Sequence, residues 1–479
     1  MSMFIKNTTQ LLSSRLDETQ LNLRKIGLMA LEKAINAVKP KKLIEKSIKI
    51  QENKLMIKND IYNLNDFEKI YIIGGGKATA EMALSLEEAL INYSNIDYEG
   101  LINVPEGLEI EEMDFKSKIR IIFASHPIPN EAGLNGTKIM MELINNLTSK
   151  DLIFCLISGG GSALLALPKE NISLEDLQKL NSLLLASGAS IHEINIIRKH
   201  LSDIKGGNLV KKVYDSSRSQ IISLIISDVV GDDLDSIASG PTVPDNTTYE
   251  QAINILKNYD LLQKIPLAIK ESLEKGFLNK SLENPNSSDE CFNNVHNYLI
   301  GSVSIAVEEI SPYLENQGFR VDYVSSNILG EARDFSKSLY QIITRKLNEY
   351  ENYNQIALIG TGELTVTIRG TGIGGRNQEM LLGFLDFIKE NNINHNFLII
   401  AANLDGIEGF SNAMGALVDN YTLSQMIKKR IDTKKYLENN DSNRFFKALK
   451  SDIITGPTGC NVNDFLLVLI KGENKRKTI

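Results

Sequence analysis

Ile70-Tyr71-Ile72-Ile73-Gly74-Gly75-Gly76-Lys77-Ala78-Thr79-Ala80-Glu81-Met82-Ala83-Leu84 reads as a strand, a glycine turn and the opening of a helix. The β-branched run is short and wholly apolar, as a strand covered on both faces requires. The pattern recurs. Leu152 to Ile157 runs into Ser158-Gly159-Gly160-Gly161-Ser162, and Gln220 to Ile226 delivers Ser227-Asp228. Leu364 to Ile368 precedes Gly370-Thr371-Gly372-Ile373-Gly374-Gly375-Arg376 and a helix Asn377 to Glu390. Apolar strands alternating with helices predict an α/β fold built on parallel sheets, with ligands taken at the carboxyl ends of the strands.

Working outward, apolar residues Leu21, Leu28, Leu31, Ile35 and Val38 predict an N-terminal helix stopped by Pro40. Arg120 to Ala124 is a strand ending at Ser125-His126-Pro127. Ser190 and Glu193 form a capping-box pattern, and the helix they open carries its apolar stripe to Ile204 before Gly206-Gly207 ends it. Residues 276–297 are polar and rich in Asn, Pro and Ser, as in a surface excursion. Strand and helix alternation then resumes and closes on Phe465 to Ile470, with a frayed tail expected from Lys471 to Ile479. The simplest partition is an α/β domain over residues 1–250, a polar linker over 251–297 and a second α/β domain over 298–479.

The chain has 479 residues and a net charge of -8, which argues against a nucleic-acid partner. Apolar runs are strand-sized, so no membrane span is expected, and the start lacks a secretory pattern. The three cysteines Cys155, Cys291 and Cys460 are scattered, giving neither a zinc pattern nor a disulfide framework. A cytoplasmic protein is expected.

The turns suggest anion chemistry. Glycines let backbone N–H groups converge on a phosphate at a helix start, and Lys77 stands beside Gly74, Gly75 and Gly76. The first turn is not a Walker A loop, since Ala78 replaces the metal-binding Ser or Thr. Ser158, Gly159, Gly160, Gly161 and Ser162 compose a phosphate cradle and lack the nucleophile-elbow order. Asp228, Asp232 and Asp233 crowd a loop that would hold Mg²⁺, with Asp228 a candidate general base. Arg376, after Gly374 and Gly375, fits a bidentate clamp on a carboxylate or phosphoryl group. Arg198, Lys199 and His200 are consecutive on a helix and point apart, so one of them, with Arg198 chosen, reaches the ligand. Gly370 to Gly375 also matches a dinucleotide fingerprint, but Asp405 lies about thirty residues on, against about twenty in such folds.

The ordered blocks resemble the type II glycerate 2-kinases, whose C-terminal domain is called MOFRL. The resemblance is carried by Gly74 to Ala78, His126 to Asn130, Ser158 to Leu164, Arg198 to Ser202, Lys205-Gly206-Gly207, Ser227 to Asp233, Ile237 to Thr242, Gly330 to Arg333, Gly374 to Glu379 and Thr455 to Asp464. It implies two Rossmann-like α/β domains with largely parallel sheets and an active-site cleft between them. It also implies phosphorylation of the 2-hydroxyl of D-glycerate by ATP with a divalent metal, with Lys77 and Arg376 in the active site; a homodimer is compatible with it. The chain departs from the family at Asn403-Leu404-Asp405-Gly406 and at Glu408, Phe410 and Asn412, where an Asp-rich loop is usual. Two other readings stay open: an NAD(P)H-dependent hydroxypyruvate reductase, and a non-catalytic protein that binds sugar acids or nucleotides.

Overall fold

The computed structural model of the protein describes residues 4–108, 118–391 and 393–472. Leu43–Ile300 forms one compact unit, and Met1–Lys42 with Gly301–Ile479 forms the other. In the first unit, strand Lys69–Gly75 pairs in parallel with Asp97–Pro105 on one side and Asp151–Ile157 on the other. Ile119–Ala124 and Gln220–Ile226 extend the sheet in parallel, and Val295–Gly301 completes its six strands. In chain order the strands stand 3-2-1-4-5-6, the Rossmann arrangement. The order reverses between Lys69–Gly75 and Asp151–Ile157, and both of these strands end in glycine turns. All seven residues of Asp151–Ile157 are buried, which is why its sequence shows no polar alternation. Ile73, Leu101, Ile153, Ile157 and Ile221 form one core with Met140, Ile144, Val210 and Val213 from the helices. A hairpin sheet of Ile48–Gln51, Lys54–Ile57 and Asp60–Asn63 precedes the large sheet.

The other unit also has six strands, but its sheet is not largely parallel as expected. Only Arg320–Glu331 and Gln355–Thr365 run in parallel. The strand Asp464–Lys471 lies between Gln355–Thr365 and Asn396–Asn403, antiparallel to both, and Gly415–Asp419 and Asp452–Ile453 continue antiparallel. A strand buried on both faces is apolar throughout whichever way it runs, so its direction left no mark in the sequence.

The expected boundaries also change. Helix Glu18–Ala37 belongs with residues 301–479, not with the domain that follows it. It lies so close to the sheet that a Cβ on Gly27 would come within 2.5 Å of Leu398. Arg24 grips Asp419 at 2.7 and 3.1 Å, with both side chains buried. The stretch read as a linker is folded into the first unit. Helices Tyr249–Asn258 and Leu267–Leu278 share a core with Ser190-capped Ile191–His200, through Leu256, Ile269, Ile194 and Ile197. Of the expected tail, residues 473–479 lie outside the described residues. Among the described residues no helix is long and apolar enough to cross a membrane.

Candidate functional site

The two glycine turns at the switch point differ in what their backbone amides do. In the first, Gly76 N–H donates to Asn103 O, Lys77 N–H to Gly159 O at 2.9 Å and Ala78 N–H to the Ser158 hydroxyl at 3.0 Å. A Cβ on Gly74 would strike Leu156 O at 2.0 Å, and one on Gly76 would strike the Ser158 hydroxyl at 2.1 Å. Gly74, Gly75 and Gly76 therefore allow close packing against the next strand, and the expected phosphate nest of this turn is already filled by protein acceptors. What the turn supplies is Lys77, which is half-buried and has no ion-pair partner among the described residues.

The second turn is open. Gly161 N–H returns to Ser158 O, whereas the amides of Gly159 and Gly160 meet no acceptor among the described residues. Gly160 has φ +84°, and a Cβ there would lie 3.0 Å from the His126 ring and 3.3 Å from Lys77 Cγ. His126, Lys77 and Gly160 thus share one small space. Burial, with the Lys77 charge adding, pushes the His126 imidazole down to about 4, so it is neutral at physiological pH. The Ser162 hydroxyl is 2.9 Å from that of Ser239, which bonds Asn195 at 3.2 Å. Ala238 and Ser239 hold left-handed φ values of +51° and +60°, a local strain that fixes the Ser239 hydroxyl on Ser162.

Two further cations stand here. Lys205 is 7% exposed, and its Nζ donates to Ser162 O at 2.5 Å. Burial, with Arg198 adding, pushes its ammonium down to about 7. Arg198 is half-buried, and its Nε donates to Asn181 at 2.9 Å. Its neighbours on the helix are satisfied elsewhere. Lys199 pairs with Asp245 at 2.9 Å and Asp235 at 3.1 Å, and His200 bonds Ile196 O at 2.8 Å. Of the three, Arg198 alone has no carboxylate or backbone partner among the described residues.

The acidic loop does not assemble as expected. Asp233 is exposed, Asp232 takes a left-handed φ of +57°, and Asp228 is half-buried at the end of its strand. Among the described residues no group of three or more His, Cys, Asp or Glu side chains could hold a metal ion. The set Asp228, Asp232 and Asp233 thus does not fit a metal held by those three together. Repulsion between unscreened carboxylates keeps such a loop spread.

In the other unit, the amides of residues 369–373, leading into Gly374 and Gly375, are likewise occupied. Arg369 and Gly370 donate to Asn440 Oδ1, Thr371 to Asn439 Oδ1, Gly372 to Asn439 O and Ile373 to Asp441 Oδ1. The helix Arg376–Ile388 is capped by the carboxylate of Glu408, which accepts from the amides of Asn377 and Gln378 and from the Gln378 side chain. The protein's own glutamate thus sits where an external anion was expected against Gly374 and Gly375. The Glu408 carboxyl is pushed up to about 8 by burial and by Asp464 nearby. Arg376 directs Nε and Nη2 at Asp464, at 2.5 and 3.0 Å, and Nη1 at Glu363 at 2.7 Å. Burial opposes its charge, yet these carboxylates outweigh it and hold the guanidinium above its ordinary pKa. Its planar fork is engaged within its own unit.

Two residues of weight escaped the sequence reading. Lys205 sits before a glycine pair and read as part of a helix end; the helix stops at His200, and Gly207 instead caps the next helix, Asn208–Ser216. Glu408 read as a remnant of an altered acidic loop, with nothing local to reveal that it caps a helix start some 30 residues away.

Residues 28–274 match the model of a domain of unknown function, DUF4147, and residues 356–464 match that of the MOFRL family. The chain is 37% identical over 463 residues to the glycerate 2-kinase of Pyrococcus horikoshii, covering 95% of this chain and 99% of that protein. It is 33% identical over 450 residues to the D-glycerate 2-kinase of Thermotoga maritima, covering 94% and 99%. A crystal structure of glycerate kinase from Thermotoga maritima aligns with a TM-score of 0.78 at 33% identity, covering 94% of this chain and 99% of that one.

Proposed function

This chain belongs to the type II glycerate kinase family, and from that premise we propose that it transfers the γ-phosphoryl group of ATP to the 2-hydroxyl of D-glycerate. The observation that carries the reading is the convergence of Lys77, the open amides of Gly159 and Gly160 and neutral His126 at the switch point of a Rossmann sheet. Phosphoryl transfer needs little covalent help from a protein; it needs alignment and charge neutralisation. Lys77 offsets charge on the transferred group. The Gly159 and Gly160 amides donate to its oxygens, at a point where Gly160 leaves space that any side chain would fill. Asp228 leaves the sheet at the same end and takes the proton of the attacking hydroxyl.

The Gly370 to Gly375 pattern lends the reductase reading little, because the amides of Gly370, Thr371, Gly372 and Ile373 already serve protein acceptors. The test is a coupled ADP-release assay with ATP, Mg²⁺ and D-glycerate, followed by ³¹P spectra of the product. Glycerate-dependent ADP release and 2-phosphoglycerate are expected, with no NADH oxidation on hydroxypyruvate. ADP release that is independent of any hydroxy acid would overturn the reading, and tight ligand binding without turnover would leave a binding protein.

A further inference from the structure

Lys205 presents a chemical problem that the scheme above does not resolve. Its ammonium is 7% exposed and has one acceptor, the neutral carbonyl of Ser162. No carboxylate stands within ion-pair distance of it among the described residues, and the charge that acts on it is another cation, Arg198. The contrast with Lys199, six positions earlier and also buried, is direct: that ammonium is held between Asp235 and Asp245. Buried charge without a counter-ion is unfavourable, and proteins retain it where a ligand completes it.

The ligand that completes such an ammonium is an anion. Phosphate oxygens have donors of their own at Lys77, Gly159 and Gly160. We propose that Lys205 and Arg198 form the subsite for the carboxylate of the hydroxy-acid substrate. This rests on the kinase reading and adds what that reading leaves open, namely how an acid is told from a neutral polyol of the same size. Ser162 links the two halves of the site: its carbonyl fixes Lys205, and its backbone follows the phosphate-facing Gly159 and Gly160 after a single residue. The carboxylate and the reacting hydroxyl of a 2-hydroxy acid are separated by a single carbon bond, so a short, rigid link of this kind suits them. An ammonium already lowered to about 7 by burial regains its proton as the carboxylate arrives.

The experiment compares the parent with Lys205→Met and Arg198→Met, measuring the KM for D-glycerate, the KM for ATP, turnover of glycerol and calorimetric binding of D-glycerate. Each variant should raise the glycerate KM by at least about tenfold, as for the loss of a charge-assisted bond, with the ATP KM within about twofold. Discrimination between D-glycerate and glycerol should shrink by the same factor, and Lys205→Arg should recover part of it. Lys205→Met should melt no lower than the parent without ligand, because it removes a buried charge. If Lys205→Met fails to fold, Lys205 is a structural donor to Ser162, and Arg198→Met alone decides whether a carboxylate subsite exists. An unchanged glycerate KM in an active variant overturns the proposal and leaves the kinase reading intact. A raised ATP KM in its place assigns the cations to nucleotide phosphate and also overturns it. If the parent binds D-glycerate without releasing ADP and Lys205→Met abolishes that binding, the kinase reading fails and the subsite stands; if the parent binds no D-glycerate, the subsite falls.

Discussion

The cations grouped around the glycine turn of the first unit and the arginines of the second are treated in opposite ways. In residues 43–300, Lys77, Arg198 and Lys205 stand near one sheet end with no carboxylate partner among the described residues. In the other unit, Arg24 is held by Asp419, Arg333 by Glu379 and Arg376 by both Asp464 and Glu363. A cation with its counter-ion in place is part of the architecture, and removing either partner strands the other. One that lacks a counter-ion is disfavoured in the empty protein, and it persists because something arrives to complete it. By this criterion we propose Lys77 for the chemistry and Arg376 for positioning its own surroundings.

The largest effect that follows is on Lys77→Ala. Turnover should fall by about a hundredfold or more, as when one electrostatic stabiliser is lost, while stability stays within about 0.5 kcal/mol of the parent. A coupled ADP assay beside urea unfolding checks both, and a folded variant at normal rate would break the comparison on its active side. Arg376→Lys sharpens the other side. It keeps the charge and loses the fork that meets two carboxylates, so stability should drop by roughly 1–3 kcal/mol and activity by less than about tenfold. A collapse in kcat/KM with unchanged unfolding would instead make Arg376 a ligand-binding residue.

The effect furthest from activity concerns Glu408. Its folded pKa, about 8, lies above its ordinary value, so the stability it contributes is whole below about 4.5 and is lost as pH rises through about 8. Asp464, pushed up to about 6 by burial against the pull of Arg376, acts in the same direction and is present in both proteins. Glu408→Gln should therefore lose less stability than the parent between pH 5 and pH 9, by up to roughly 4 kcal/mol in urea midpoints converted at constant m. Parallel pH profiles would mean that Glu408 is ionised and caps the helix as an anion at every pH tested.

The parallel half of the fold was legible because βα repetition leaves two local marks, a wholly apolar strand and a glycine turn. Strand order in the second sheet was not, since the partners of Asp464–Lys471 lie about 60 to 110 residues earlier and pairing direction leaves no local mark. In the site, composition identified both glycine turns but could not tell them apart. Gly74 to Gly76 and Gly159 to Gly161 look alike in sequence, and the difference lies in whether Asn103, Gly159 and Ser158 stand opposite their amides. Helical geometry indicated only that Arg198, Lys199 and His200 point apart, and it took the structure to show that Lys199 and His200 have partners. Lys205 was quoted for its resemblance to the family and passed over for its chemistry, because burial without a counter-ion is a property of tertiary structure.

Helix Glu18–Ala37 and the strand Asp464–Lys471 lie in one unit, and Arg24 waits for Asp419, 395 residues further along. On a translating ribosome this inverts the usual order. The interior unit can close its sheet as soon as Val295–Gly301 has emerged, while the earlier helix stays unpaired and its apolar face remains uncovered. Until the strand Asp464–Lys471 appears, Gln355–Thr365 and Asn396–Asn403 each offer an unsatisfied, apolar edge, the kind of surface that recruits chaperones and seeds aggregates. The vulnerable interval in the life of this chain therefore lasts until Asp464–Lys471 has emerged, and a ribosome stalled just short of Asp464 would release a molecule with a finished interior and two open seams.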